Sequence, residues 1–95
     1  MRVHLSVIEK LKPVKVHDNK YYTRYIYEIE MGFSEASRQL LTDPEVQGWK
    51  QNFQPRYVGL IRTSMPKDQV SLTEGSLEEN GPQTGRCFIY VQETH

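Results

Sequence analysis

Lys20-Tyr21-Tyr22-Thr23-Arg24-Tyr25-Ile26-Tyr27-Glu28-Ile29-Glu30-Met31 is the stretch on which the fold turns. It is dense in aromatic and β-branched residues, which fit the pleated, half-buried surface of a strand. Successive side chains of a strand point to opposite faces. Tyr21, Thr23, Tyr25, Tyr27 and Ile29 therefore share one face, and Lys20, Tyr22, Arg24, Ile26, Glu28 and Glu30 share the other. Gly32 closes the run.

Upstream, Val3, Leu5 and Val7 alternate with Arg2, His4 and Ser6, so residues 2–9 read as a half-buried strand. Pro13 interrupts, and the basic stretch from Lys10 to Lys20 contains a turn signal at Asp18-Asn19. Downstream, Ser34 and Glu35 open a helical segment, and Asp43-Pro44 reads as a fresh cap and first-turn proline. Val46, Trp49 and Phe53 lie three and four apart, the spacing of an apolar helical stripe, with Gly48 weakening it. A third strand is expected over Tyr57–Thr63 and a last one over Arg86–Gln92, where both faces are apolar as in a central, doubly covered strand.

The expected architecture is α+β. A small antiparallel sheet of about four strands, in the order β-β-α(α)-β-β, carries a helical segment at 34–53 on one face. A small OB-like barrel is the alternative, since it too sets a helix among strands. The 95 residues form one domain, with a long polar loop at 64–85.

Composition narrows the function. Twelve Lys plus Arg balance twelve Asp plus Glu, which argues against a whole-chain polyanion binder. The balance is uneven along the chain: residues 1–24 carry +4, 25–54 carry −3, 55–67 carry +3 and 68–95 carry −4. Two basic segments brought side by side would steer an anionic partner locally. With Cys87 alone, no internal disulfide forms, which fits a reducing compartment. No apolar run reaches the ~20 residues of a membrane span, and the N-terminus lacks the features of a secretory signal. The chain is read as cytoplasmic.

Chemistry-bearing motifs are few. His4, His17 and His95 show no metal-ligand spacing, Gly81-Pro82-Gln83-Thr84-Gly85 is a turn rather than a phosphate loop, and Cys87 sits among strand residues as a buried thiol. No catalytic group, metal or cofactor is expected, although a minimal nuclease relying on Lys, Arg, Tyr and His leaves no spacing to find.

Binding residues are better represented. Lys15, His17, Lys20, Tyr22 and Arg24 cluster in the first hairpin, and Arg56 and Arg62 flank the third strand. Glu74, Glu78 and Glu79 mark an acidic loop. Tyr21, Tyr25 and Tyr27 would make a base-stacking platform if exposed, but strand tyrosines are more often core. Trp49 with Phe53 is likewise more often core than an anchor for a partner.

The preferred reading is a non-enzymatic module that contacts another protein as an adaptor or inhibitor, through the acidic loop and exposed strand edges. Single-stranded nucleic-acid binding by the hairpin at 15–27 is the alternative. No membrane is expected as a partner, and a homodimer through a sheet edge stays open.

Overall fold

The computed structural model describes residues 2–75 and 86–95. It is an α+β fold built on one antiparallel sheet of six strands: β1 (Lys15–Asp18), β2 (Tyr22–Ile29), β3 (Lys50–Gln54), β4 (Tyr57–Ile61), β5 (Gln69–Glu74) and β6 (Cys87–Thr94). Their spatial order is β1-β2-β6-β5-β4-β3. One α-helix, α1 (Phe33–Leu41), joins β2 to the second half of the chain.

The tyrosine-rich run forms β2, paired along its length with β6. Its odd positions face the covered side, where Tyr27 and Ile29 join Val58, Leu60, Val70, Leu72, Ile89 and Val91 in the core. The cover consists of the N-terminal segment, α1 and Trp49. Val3, Leu5, Ile8, Ala36, Leu40 and Val46 close over the sheet from that side. The even positions of β2 face away from every helix. Asp18-Asn19 does make the expected turn: Asn19 Oδ1 accepts the backbone N–H groups of Tyr21 and Tyr22 at 2.8 and 3.0 Å.

The strand count is corrected from four to six, and the order accordingly. Residues 2–9 are not a strand. They run extended to Leu5 and then form a short 3-10 helix over Ser6–Ile8. The alternation of Val3 and Leu5 is real but reports burial under the cover rather than ladder pairing.

The helical segment stops at Leu41. Past Thr42 there is only a 3-10 turn, Pro44–Val46, capped by Asp43 Oδ1 accepting from the Glu45 N–H at 2.9 Å. Gly48 then takes φ +83°, a left-handed conformation that glycine adopts at no steric cost, and the chain leaves as β3. The Val46–Trp49–Phe53 stripe is therefore split: Trp49 is buried, while Phe53 lies exposed on an edge strand.

The loop expected over 64–85 contains β5, paired on one side with β4 and on the other with β6. The barrel alternative fails because β1 and β3 end the sheet and do not pair with each other. The last strand is central as expected, lying between β2 and β5.

Candidate functional site

No helix lies over the even positions of β2, so the back of the sheet borders solvent, although Ile26 and Phe88 on it are buried. Strand register lays its side chains out in rows. One row crosses all six strands as His17, Arg24, Gln92, Gln69, Ile61 and Lys50. The next crosses as Lys15, Ile26, Tyr90, Ser71, Gly59 and Asn52. A third carries Glu28, Phe88, Thr73, Tyr57 and Gln54 from β2 to β3. At ~4.8 Å per strand, a complete row spans about 24 Å. The rows place aromatic rings, amides and hydroxyls in the middle, with Lys15 on one edge strand and Lys50 on the other, while the third row runs from Glu28 to Gln54.

A concavity of about 320 Å³ lies in the centre, bordered by Arg24, Asn52, Tyr57, Ser71, Tyr90 and Gln92. Its floor depends on Gly59. A Cβ there would stand 2.7 Å from Tyr57 Oη and 3.0 Å from Cε1. The Tyr57 ring thus leans along β4 with its hydroxyl end resting on the glycine, and it lines the concavity half-buried. Glycine inside a strand commonly marks such a close approach. On either side of Gly59, Asn52 and Ser71 stand in register as its cross-strand neighbours. Among the described residues, the Asn52 carboxamide makes no hydrogen bond.

Arg24 is held in place. Its Nε and Nη2 donate to Gln92 Oε1 at 3.1 and 2.7 Å, and its guanidinium lies 5.0 Å from the centre of the Tyr22 ring. A guanidinium with this bracing keeps a defined position for an anion. Among the described residues, Glu28 is the one carboxylate that the strands set on this face, and Arg86 bonds to it at 2.5 Å. Glu30 follows just beyond the end of β2. Lys15 and Lys50, at opposite edges, have no carboxylate within ion-pair distance among the described residues. The open face is therefore locally cationic although the chain is neutral.

Of the residues singled out from sequence, Lys15, His17, Tyr22 and Arg24 come together on this face. Lys20 sits at the hairpin tip against the Tyr21 ring, 5.1 Å from its centre. Arg56 turns the β3–β4 hairpin with φ +58° and reaches Glu74 at 4.0 Å, at the end of the sheet. Glu74 belongs to β5 and points to the covered side, so it is not part of an acidic loop. Glu78 and Glu79 lie outside the described residues.

Tyr25 and Tyr27 pack with the core, so Tyr21, Tyr25 and Tyr27 form no exposed platform. Tyr21 is exposed, and the aromatic rings that border the concavity, Tyr57 and Tyr90, are half-buried on strands that meet β2 only through tertiary pairing.

Arg62 also turns away from the open face. Its guanidinium lies 4.8 Å from the centre of the Trp49 ring and bonds Asp68 Oδ2 at 3.2 Å. Asp68 is fully buried, and Arg2 grips it with two hydrogen bonds of 3.1 and 2.7 Å. With the bond from Arg62, the Thr94 N–H at 3.0 Å makes a fourth. Burial acts to raise the Asp68 pKa, but Arg2, the Thr94 N–H and the Arg62 charge prevail and hold it below the usual carboxylate value. Glu93 accepts the backbone N–H groups of Arg2 and Val3. These carboxylates fasten the N-terminal segment over the core, which is a structural task.

Cys87 is buried, and desolvation followed by the Glu74 charge pushes its thiol pKa up, away from a nucleophile's range. His95 closes a corner with Thr23 Oγ1 at 2.9 Å and Asp18 Oδ1 at 3.4 Å. No group of three His, Cys, Asp or Glu side chains suited to a metal ion occurs among the described residues. Nor is any helix among them long and apolar enough to cross a membrane.

The sequence matches no protein-family model, no curated protein and no solved structure.

Proposed function

We propose that this chain is a non-catalytic binding module whose open sheet face takes single-stranded nucleic acid. One observation carries the reading: Tyr57, half-buried and laid on Gly59, borders a concavity on a sheet face whose two edge strands carry Lys15 and Lys50. Unpaired bases stack on such rings, and each stack is worth roughly 1–3 kcal/mol. Lys15, Arg24 and Lys50 meet the phosphates, and the amides of Asn52, Gln69 and Gln92 suit base edges. A row of about 24 Å fits the short end of the ~4–16 nucleotides that a small domain covers.

Fluorescence anisotropy of a labelled single-stranded dodecanucleotide tests this. Binding is expected at about 20 mM salt, and three phosphate contacts give a log–log salt slope of roughly −2. Tyr57→Ala weakens binding and leaves the fold intact. Absence of binding at that salt refutes the reading.

Contact with another protein is the second reading. It draws on Leu11, Val14 and Val16, apolar side chains exposed at 43%, 52% and 49% beside the unpaired edge of β1. An extended segment of a partner would add a strand there. That reading takes precedence if oligonucleotides fail to bind.

A further inference from the structure

The sheet edge at β1 has an order of its own, apart from the open face. The Asn19 N–H bonds the Tyr22 carbonyl at 3.0 Å, and the Val14 N–H bonds the Ile26 carbonyl at 2.7 Å. Alternate residues of an antiparallel strand turn their backbone groups to the same neighbour. Counting back from Asn19, His17 and Lys15 turn theirs to β2. Val16 and Asp18 turn theirs off the sheet, where no strand follows. The side chains divide as well. Val16 stands opposite Tyr25 on the covered side, and Lys15 and His17 stand opposite Ile26 and Arg24 on the open side. Leu11, Val14 and Val16 are exposed.

Charge decides what suits this edge. Residues 10–20 hold Lys10, Lys12, Lys15 and Lys20, all exposed, and one acid. That acid, Asp18, accepts from Thr23 Oγ1 at 2.7 Å. Among the described residues, none of the four lysines has a carboxylate within ion-pair distance. A second copy is a poor match. Outward-pointing residues must meet outward-pointing residues, so Lys15 faces Lys15, His17 or Asn19 of a second copy and never its Asp18. Lysines on an edge oppose such self-pairing. An acidic strand turns the same repulsion into attraction. The other edge, β3, carries one lysine among amides and a phenylalanine, and has no such bias.

We infer that β1 takes an extended peptide of alternating acidic and apolar residues, added antiparallel as a further strand. Its apolar side chains lie beside Val16 on the covered side, and its acids lie beside Lys15 and His17. The inference rests on the protein-contact reading, to which it adds the partner's chemistry, and is independent of the nucleic-acid reading. Residues that pair with Val16 and Asp18 share their face and point their N–H groups at β1. The apolar residues of the peptide therefore donate to β1, and its acidic residues do not.

The test is anisotropy of the full chain, at low salt and neutral pH, with a labelled, end-blocked peptide of alternating Glu and Val. Saturable binding is expected, with the Val16 and Asp18 amide signals shifted in NMR spectra. A peptide of alternating Lys and Val binds at least about tenfold more weakly, as does the Glu–Val peptide N-methylated at every valine. N-methylation at every glutamate instead leaves the affinity within about twofold. Lys15→Glu alters an exposed side chain and weakens binding about fivefold; circular dichroism verifies its fold.

Equal affinity for the Glu–Val and Lys–Val peptides overturns the inference and leaves the edge reading standing. Undiminished binding after N-methylation at valine means attraction without strand addition, and overturns it too. A dimer in sedimentation velocity that Val16→Pro abolishes makes a second copy the occupant, against the inference. If no peptide binds, the edge reading fails and the inference fails with it, whatever the oligonucleotides do.

Discussion

Gly59→Ala perturbs the open face through a single methyl group. The added Cβ would stand 2.7 Å from Tyr57 Oη, 3.0 Å from Cε1 and 3.1 Å from Cζ. Ordinary carbon contacts lie at ~3.5–4.0 Å, so the ring end must lift by roughly 1 Å. The tyrosine has room to do so, because it lines the concavity. The backbone has no objection: Gly59 is not among the positive-φ glycines, and alanine in a strand interior is favoured over glycine by ~0.5–1 kcal/mol. Stability is therefore expected to stay within about 1 kcal/mol of wild type. Binding is not. A tilted ring keeps part of its stacking surface, so the loss falls near the low end of ~1–3 kcal/mol per base, or about fivefold in Kd. Tyr57→Ala removes the ring altogether and loses up to ~3 kcal/mol, or about 150-fold. Urea denaturation and anisotropy with the same dodecanucleotide read the two effects separately. A Gly59→Ala protein that is stable and binds as tightly as wild type refutes the platform. One destabilised by more than about 2 kcal/mol places something rigid, not a movable ring, over Gly59.

Four further outcomes are expected. Trp49→Ala removes a buried ring under Arg62 and costs about 3–5 kcal/mol in urea denaturation; a loss below about 1 kcal/mol contradicts its place in the core. Asp68→Asn leaves two guanidinium groups without their buried partner and costs about 3 kcal/mol at pH 7, near the low end because Arg2 reaches water. The folded pKa of Asp68 is depressed, so its contribution is full above the unfolded value of ~3.9 and is lost as pH falls through the folded value. The gap between wild type and Asp68→Asn therefore narrows at about pH 3, and a gap independent of pH refutes this. Cys87 resists a thiol reagent in native protein and reacts promptly in denaturant; fast native labelling contradicts its burial and raised pKa. Lys15→Ala and Lys50→Ala each reduce the salt slope by about 0.7, and a slope that stays constant removes that lysine from the phosphate path.

The two-faced character of residues 20–31 was legible in part because strand geometry needs only alternation: Tyr27 and Ile29 are dry while Tyr22 and Arg24 border solvent, but Ile26 on the outer face is buried and Tyr21 on the inner face is exposed. The short strands were harder to read. In β5, Val70 and Leu72 alternate with Gln69, Ser71 and Thr73, but two apolar residues among hydroxyls and amides look like a polar loop until β4 and β6 pair with them. Val46, Trp49 and Phe53 have helical spacing by coincidence. A 3-10 turn and the left-handed Gly48 set Trp49 inward, and the chain then continues as an edge strand. Half of the candidate face was visible locally, as Lys15, His17, Tyr22 and Arg24 in one hairpin. The other half, Asn52, Tyr57, Ser71 and Tyr90, depends on which strands are neighbours and in what register. No local pattern encodes that, although Gly59 in the middle of an apolar strand was a signal of close approach.

Backbone amide mapping by NMR, as unlabelled single-stranded dA12 is added to ¹⁵N-labelled protein, addresses the uncovered side of the sheet most directly. The expected result is a contiguous set of shifted signals at Arg24, Asn52, Tyr57, Gly59, Ser71 and Tyr90, with α1 and the Asp68 network unmoved. Shifts centred on α1 or on the β1 edge, or no shifts at millimolar oligonucleotide, would contradict it.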